Sequence, residues 1–149
     1  MGSSTPFWQA LESAETGTQR PLEEALDALA FNEAGLIPAI AQQHDTGEVL
    51  MMAWMNREAL ETSIQERRAC YWSRSRNRLW RKGESSGQVQ QLYSIHTDCD
   101  GDTLLLKVDQ QGAACHTGRR DCFYVALTET HAEVDQSPLV DPNTLYGNP

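Results

Sequence analysis

The sequence predicts a β-rich α+β fold whose sheet is mostly antiparallel, with one main helix and a second helix near the N-terminus. Three observations carry this. Short runs of aliphatic, aromatic and β-branched residues recur between turn signals, at 36–42, 49–54, 69–73, 89–97, 98–108 and 121–128. The first two flank His44-Asp45-Thr46-Gly47 and read as a hairpin. Helical spacing of apolar residues occurs in only two places, 22–29 and 57–67. A chain of 149 residues is long enough for one core. The expected layout is a flexible arm at 1–20, a domain at 21–128 and a tail at 129–149.

Taken in order, residues 1–20 are polar and small, which reads as a loose arm. Pro21 opens a helix whose stripe is Leu22, Ala25, Leu26 and Leu29, with Glu23 and Glu24 suited to its positive end. The strand at 36–42 contains Pro38, which belongs at an edge or a strand start. Met51, Met52, Trp54 and Met55 in the next strand are expected in the core. Asn56 is a good N-cap for a helix over 57–67, with Ala59, Leu60, Ser63 and Ile64 on its inner face. Cys70, inside the strand at 69–73, reads as buried packing. Gln110-Gln111-Gly112 is a turn. Three prolines and scattered acids make 129–149 a tail, and place His131, like His44, outside any site.

The net charge of −9 and pI near 4.8 argue against nucleic acid as a partner. No apolar run approaches membrane-spanning length. The first residues have no signal-peptide core, and Pro6 breaks the myristoylation pattern. Four cysteines with metal-like spacing and no secretory signal fit a reducing, cytoplasmic setting. Against this acidic background, residues 67–82 hold seven of the twelve basic residues and no acid. Arg74 and Arg76 alternate with Ser73 and Ser75, and guanidinium and hydroxyl groups are phosphate donors. Lys82, Gly83, Ser85, Ser86 and Gly87 form a donor-rich loop in which glycines let backbone N–H groups approach an anion. Trp72 and Trp80 flank it, and one of them is placed to stack on a base. The candidate substrate-binding set is therefore Trp72, Ser73, Arg74, Ser75, Arg76, Lys82, Gly83, Ser85, Ser86 and Gly87.

The densest chemistry lies at 98–122. Asp98, Asp100 and Asp102 alternate with Cys99, and Cys115-His116 and Cys122 follow. If 98–108 were one strand, the three acids would share one face and Cys99 would point to the other. Carboxylates suit a hard cation such as Mg²⁺, and thiolates suit Zn²⁺. An EF-hand is excluded, because Thr103 and Asp109 stand where that loop needs Gly and Glu. Three cysteine ligands rather than four leave a zinc position for water, as catalytic sites do. His116 beside Cys115 is the candidate proton carrier.

These residues carry a resemblance. D-C-D-G-D-T-L-L-L-K-V and G-A-A-C-H-T-G-R-R-D-C-F-Y, with G-L-I-P-A-I-A-Q at 35–42, W-M-N-R-E-A-L at 54–60, Y-W-S-R-S-R at 71–76 and L-W-R-K-G-E-S-S-G at 79–87, resemble phosphoribosyl-AMP cyclohydrolases of histidine biosynthesis. The likeness covers roughly residues 31–125. It implies an intertwined homodimer with active sites at the subunit interface. It implies hydrolytic opening of the adenine ring of a small phosphorylated nucleotide, N1-(5-phosphoribosyl)-AMP, between N1 and C6. By the resemblance, Cys99, Cys115 and Cys122 hold zinc shared between subunits, and Asp98, Asp100 and Asp102 hold Mg²⁺. The sequence departs from the family pattern at Asp121, where a small polar residue is usual. No pyrophosphohydrolase domain follows within the chain, so a monofunctional enzyme is expected. Two other classes compete: a zinc nucleobase deaminase, whose H-x-E and P-C-x-x-C signatures are missing, and a non-enzymatic zinc module, which would need a fourth ligand and no phosphate pocket.

Overall fold

The computed structural model describes residues 5–145. In chain order these form α1 (Pro6–Glu12), α2 (Leu22–Ala28), β1 (Ile37–Gln43), β2 (Val49–Met55), α3 (Arg57–Glu66) and β3 (Cys70–Ser73). Then come β4 (Arg78–Arg81), β5 (Gln90–Thr97), β6 (Leu104–Gln110), β7 (Val125–Leu127), β8 (Ala132–Val134) and α4 (Pro142–Leu145). A four-stranded sheet of order β2-β1-β6-β5 is the centre, and β3–β4 and β7–β8 are small antiparallel ribbons.

The central sheet is two hairpin-like antiparallel pairs, β1–β2 and β5–β6, joined through a parallel contact of β1 with β6. It is therefore mixed. β1 and β6 both bury every second residue, so Ile37, Ala39 and Ala41 lie on the same inner face as Leu104, Leu106 and Val108. Strands with one buried face are fixed in register, because a one-residue slip would expose the whole set. Pro38 sits at the start of β1. It is opposite Trp54 on β2, one residue before pairing with β6 begins at Ala39, so no ladder needs its missing N–H.

α3 begins as its cap predicts: Asn56 Oδ1 accepts from Ala59 N at 2.8 Å. Its inner face buries Ala59, Leu60 and Ser63. Burying Leu60 is worth about 1.5–3 kcal/mol. Ser63 Oγ donates to Ala59 O and accepts from Cys70 N, tying α3 to β3. Cys70 is fully buried.

Several expectations are corrected. The arm at 1–20 is not loose where it is described. α1 has Pro in its first turn, and Trp8 enters the core and donates to Ala28 O at 2.8 Å. One buried indole anchors a helix too short to show a periodic stripe. The tail at 129–149 is also folded over its described part: Leu139 N donates to Gly118 O, and Leu145 is buried; residues 146–149 lie outside the described residues. β4 was not anticipated, because its Arg-rich sequence reads as a charged face. The strand expected at 121–128 is only Val125–Leu127. Met52 and Trp54 do not join Met51 and Met55 in the core; Met52 is 46% exposed, and Trp54 is half-buried under the Arg74 guanidinium. Finally, 98–108 is not one strand. Asp98 N donates to Thr103 O, Asp98 Oδ1 accepts from Asp102 N, and Gly101 takes a left-handed φ of 70°. Asp and Gly turn chemistry overrides extension here. The acids lie in the turn between β5 and β6, so the argument from alternating faces does not apply to them.

Candidate active site

The thiol loop is a tight hairpin. Ala114 N donates to Arg120 O, Cys115 N to Arg119 O and Gly118 N to Cys115 O. His116 is thereby held exposed at the tip. Thr117 Oγ1 donates to Cys115 Sγ at 3.1 Å. Cys122 N donates to Leu50 O, which pins the second cysteine to β2. Cys122 is exposed as a residue, yet desolvation of its thiol, with Cys115 alongside, pushes that thiol up to about 12, with Lys82 opposing. Lys82 lies beneath the loop. It is 8% exposed, and its Nζ donates to Ala114 O at 2.5 Å. Burial pulls its pKa down, while Cys122 and Cys115 oppose the shift.

The loop rests on buried amides. Gln43, Gln90 and Gln110 are all in the interior. Tyr71 OH donates to Gln90 Oε1 at 2.7 Å, and Gln90 Nε2 donates to Gln110 Oε1 at 2.8 Å. Gln110 N in turn donates to Gln43 Oε1. Gln88 Oε1 accepts from Ala113 N. The Arg120 guanidinium donates to the carbonyls of Gln110 and Gly112 and to Gln43 Oε1. Buried polar groups satisfied in this way make a rigid support.

The acid turn is separate. Cys99 is exposed, and the Asp100 charge pushes its thiol up. Burial works against ionising Asp98, but hydrogen bonds with Asp102 and nearby backbone amides hold it below the ordinary carboxylate value. Asp102 is pushed up by that same shared hydrogen bond, by burial and by its two acidic neighbours. Among the described residues of the single chain, no three His, Cys, Asp or Glu side chains are placed to hold a metal ion together. The donor chemistry fits zinc at Cys115 and Cys122 as two paired sulfurs, and fits Mg²⁺ at the acids as hard oxygens.

A polar cleft of about 330 Å³ brings together Ser73, Ser75, Arg76, Lys82, Gly83, Ser85 and Ser86 from the expected set, with Trp80, Arg81 and Glu84 added. Trp72, Arg74 and Gly87 do not line it. Trp72 is paired with Leu79 across the β3–β4 ribbon, and Arg74 stacks on Trp54 at 5.1 Å. Arg81 is held by Glu66 through two bonds of 2.8 Å. Arg76 lines the cleft with no ion pair to a carboxylate among the described residues, and Glu84 is the one acid in the lining. A larger apolar groove between α2, α3 and β5, about 400 Å³, holds no thiol, histidine or carboxylate. The hydroxyl and cationic donors expected from the sequence line the smaller polar cleft instead.

The profile of the phosphoribosyl-AMP cyclohydrolase family matches residues 51–124. A phosphoribosyl-AMP cyclohydrolase of Chromohalobacter salexigens is 67% identical over 143 residues, 96% of this chain and 98% of the relative. One from Alkalilimnicola ehrlichii is 65% identical, covering 94% of this chain and 99% of its own. One from Alcanivorax borkumensis is 63% identical, covering 91% and 96%. The chain belongs to the phosphoribosyl-AMP cyclohydrolase family. The span matched by the phosphoribosyl-AMP cyclohydrolase profile runs from β2 to just past Cys122, so it takes in the cleft, the acid turn and the thiol loop, and leaves α1 and α2 outside. What sequence reasoning missed was the support: Tyr71, Gln43, Gln88, Gln90, Gln110 and Arg120. A signal existed, because Gln43 and Gln110 occupy inward positions in strands whose other inward residues are apolar.

Proposed function

We propose that this chain hydrolyses the N1–C6 bond of the adenine ring of N1-(5-phosphoribosyl)-AMP in histidine biosynthesis. It does so as a homodimer, with zinc on Cys99, Cys115 and Cys122 and Mg²⁺ on Asp98, Asp100 and Asp102. The observation that carries the reading is Lys82. It lines the phosphate-donor cleft and contacts the thiol loop, so the two share a wall. Family membership supplies the substrate.

The ligand count supports the dimer. Cys115 and Cys122 pair, and no third ligand comes from their own chain among the described residues. The partner subunit's Cys99 completes the set. Just after Cys122, the β7–β8 ribbon exposes Val125, Leu127 and Val134, an apolar surface suited to a second copy.

The N1 substituent makes the ring cationic and C6 electrophilic. Arg76, the serines and the backbone of the 83–87 loop bind phosphate and set the ring's position. Zinc, when bound, brings the pKa of a coordinated water from about 15.7 toward about 7. His116 accepts the proton of the attacking water and returns one to N1. The new C–O bond and the broken N1–C6 bond leave C6 as a carboxamide and N1 in an amidine. The test is an absorbance assay of ring opening, read with metal content and ammonia release. Ring opening without ammonia, at about one zinc per chain, is expected. Ammonia release would make the chain a deaminase, and full activity without a bound transition metal would remove zinc from the reaction.

A further inference from the structure

We infer that Lys82 is a positioning residue of the thiol loop and not a phosphate ligand. The inference rests on the reading of Cys115 and Cys122 as zinc ligands. Lys82 borders the phosphate cleft, but the residue is only 8% exposed, and Nζ is engaged by Ala114 O, the carbonyl just before Cys115. Its backbone is fixed by a bond from Lys82 N to Ala69 O, directly after the β3–β4 ladder. The stem passes Trp80, with Nζ 5.8 Å from the ring centroid. A rigid ribbon thus delivers the ammonium to one carbonyl of the loop.

An ammonium has three donors. Ala114 O takes one, and the sulfurs of Cys115 and Cys122 are the charged-state neighbours that act on the group. The electrostatics are complementary. Three thiolates around a divalent ion leave one negative charge, and a buried charge needs a partner. One ammonium supplies it. Outer groups that orient metal ligands are worth about 10–100-fold in metal affinity.

The experiment uses the intact protein. Zinc affinity is measured by competition with a chromophoric chelator, and AMP affinity by calorimetry, for wild type and Lys82→Met, a variant of similar length without charge. The clamp predicts a loss of zinc affinity of about 10–100-fold, with AMP affinity within threefold of wild type. Unchanged zinc affinity overturns the clamp, whatever AMP does. Wild-type protein that binds no zinc overturns the clamp together with the ligand assignment beneath it. A wild-type measurement decides the matter if the variant does not fold. Acetylation by an activated ester, followed by mass spectrometry, reads Lys82 against Lys107, the other lysine of the chain. Zinc should slow acetylation of Lys82 at least tenfold relative to Lys107, and saturating AMP should not. Protection by AMP and none by zinc would make Lys82 a phosphate ligand and end the proposal.

Discussion

Gly83→Ala should damage both stability and catalysis, and Gly87→Ala should do much less. Both glycines have left-handed φ, +83° and +79°. A side chain in that region costs about 1–2 kcal/mol, and both variants bear it. Only Gly83 adds a collision. A Cβ there would lie 2.5 Å from Gln88 C and Val89 N and 2.6 Å from Val89 Cα, while at Gly87 nothing lies within 4 Å. Ordinary contact begins at 3.4 Å, so two backbone segments must part by 3.4 − 2.5, about 0.9 Å. Overpacking of this kind adds about 1–3 kcal/mol. At about 2–4 °C per kcal/mol for a domain of this size, Gly83→Ala should melt at least about 2 °C below Gly87→Ala. The same shift moves the loop that carries Ser85 and Ser86. A displacement near 1 Å in a positioning element costs up to about 100-fold in rate. Thermal denaturation and kcat/KM from ring-opening absorbance measure the two effects. Two variants melting within 1 °C of each other would refute the steric argument, and an unaltered kcat/KM in Gly83→Ala would remove the loop from the site.

Tyr71→Phe leaves the buried Gln90 Oε1 without its 2.7 Å donor, which should cost about 1–3 kcal/mol in denaturant unfolding; a loss under 0.5 kcal/mol would mean the amide chain re-pairs freely. His116→Ala should lower kcat by about 10²–10⁴ with AMP affinity nearly unchanged, and a fall confined to affinity would make His116 a binding group. Cys99→Ala and Cys115→Ala chains, each inactive, should regain activity when unfolded and refolded together, because one site of the mixed dimer draws all three sulfurs from intact positions; a mixture still inactive, with mixed dimers present by mass spectrometry, would place each site within one chain.

The sequence alone carried the local chemistry. Asn56 announced a cap, the 22–29 and 57–67 stripes announced two helices, and the aliphatic runs at 36–42 and within 98–108 announced strands, the second of which begins only at Leu104, because each signal is a short-range relation between neighbouring residues. The same holds for the thiols, the acids and the serine-rich basic loop, whose types and order in the chain already define what they can bind. Long-range pairing decided the rest. The parallel contact of β1 with β6 joins residues far apart in the chain. Trp8 finds its place only when α2 presents the Ala28 carbonyl, so α1 is invisible to a reading of periodicity. Trp80 replaced Trp72 at the cleft because side chains alternate along the β3–β4 ladder, and that register is set by pairing. Lys82 reads in sequence as one more cation of a basic run. Only the packed structure brings its ammonium to the Ala114 carbonyl, because the ribbon that carries it ends beneath the thiol loop.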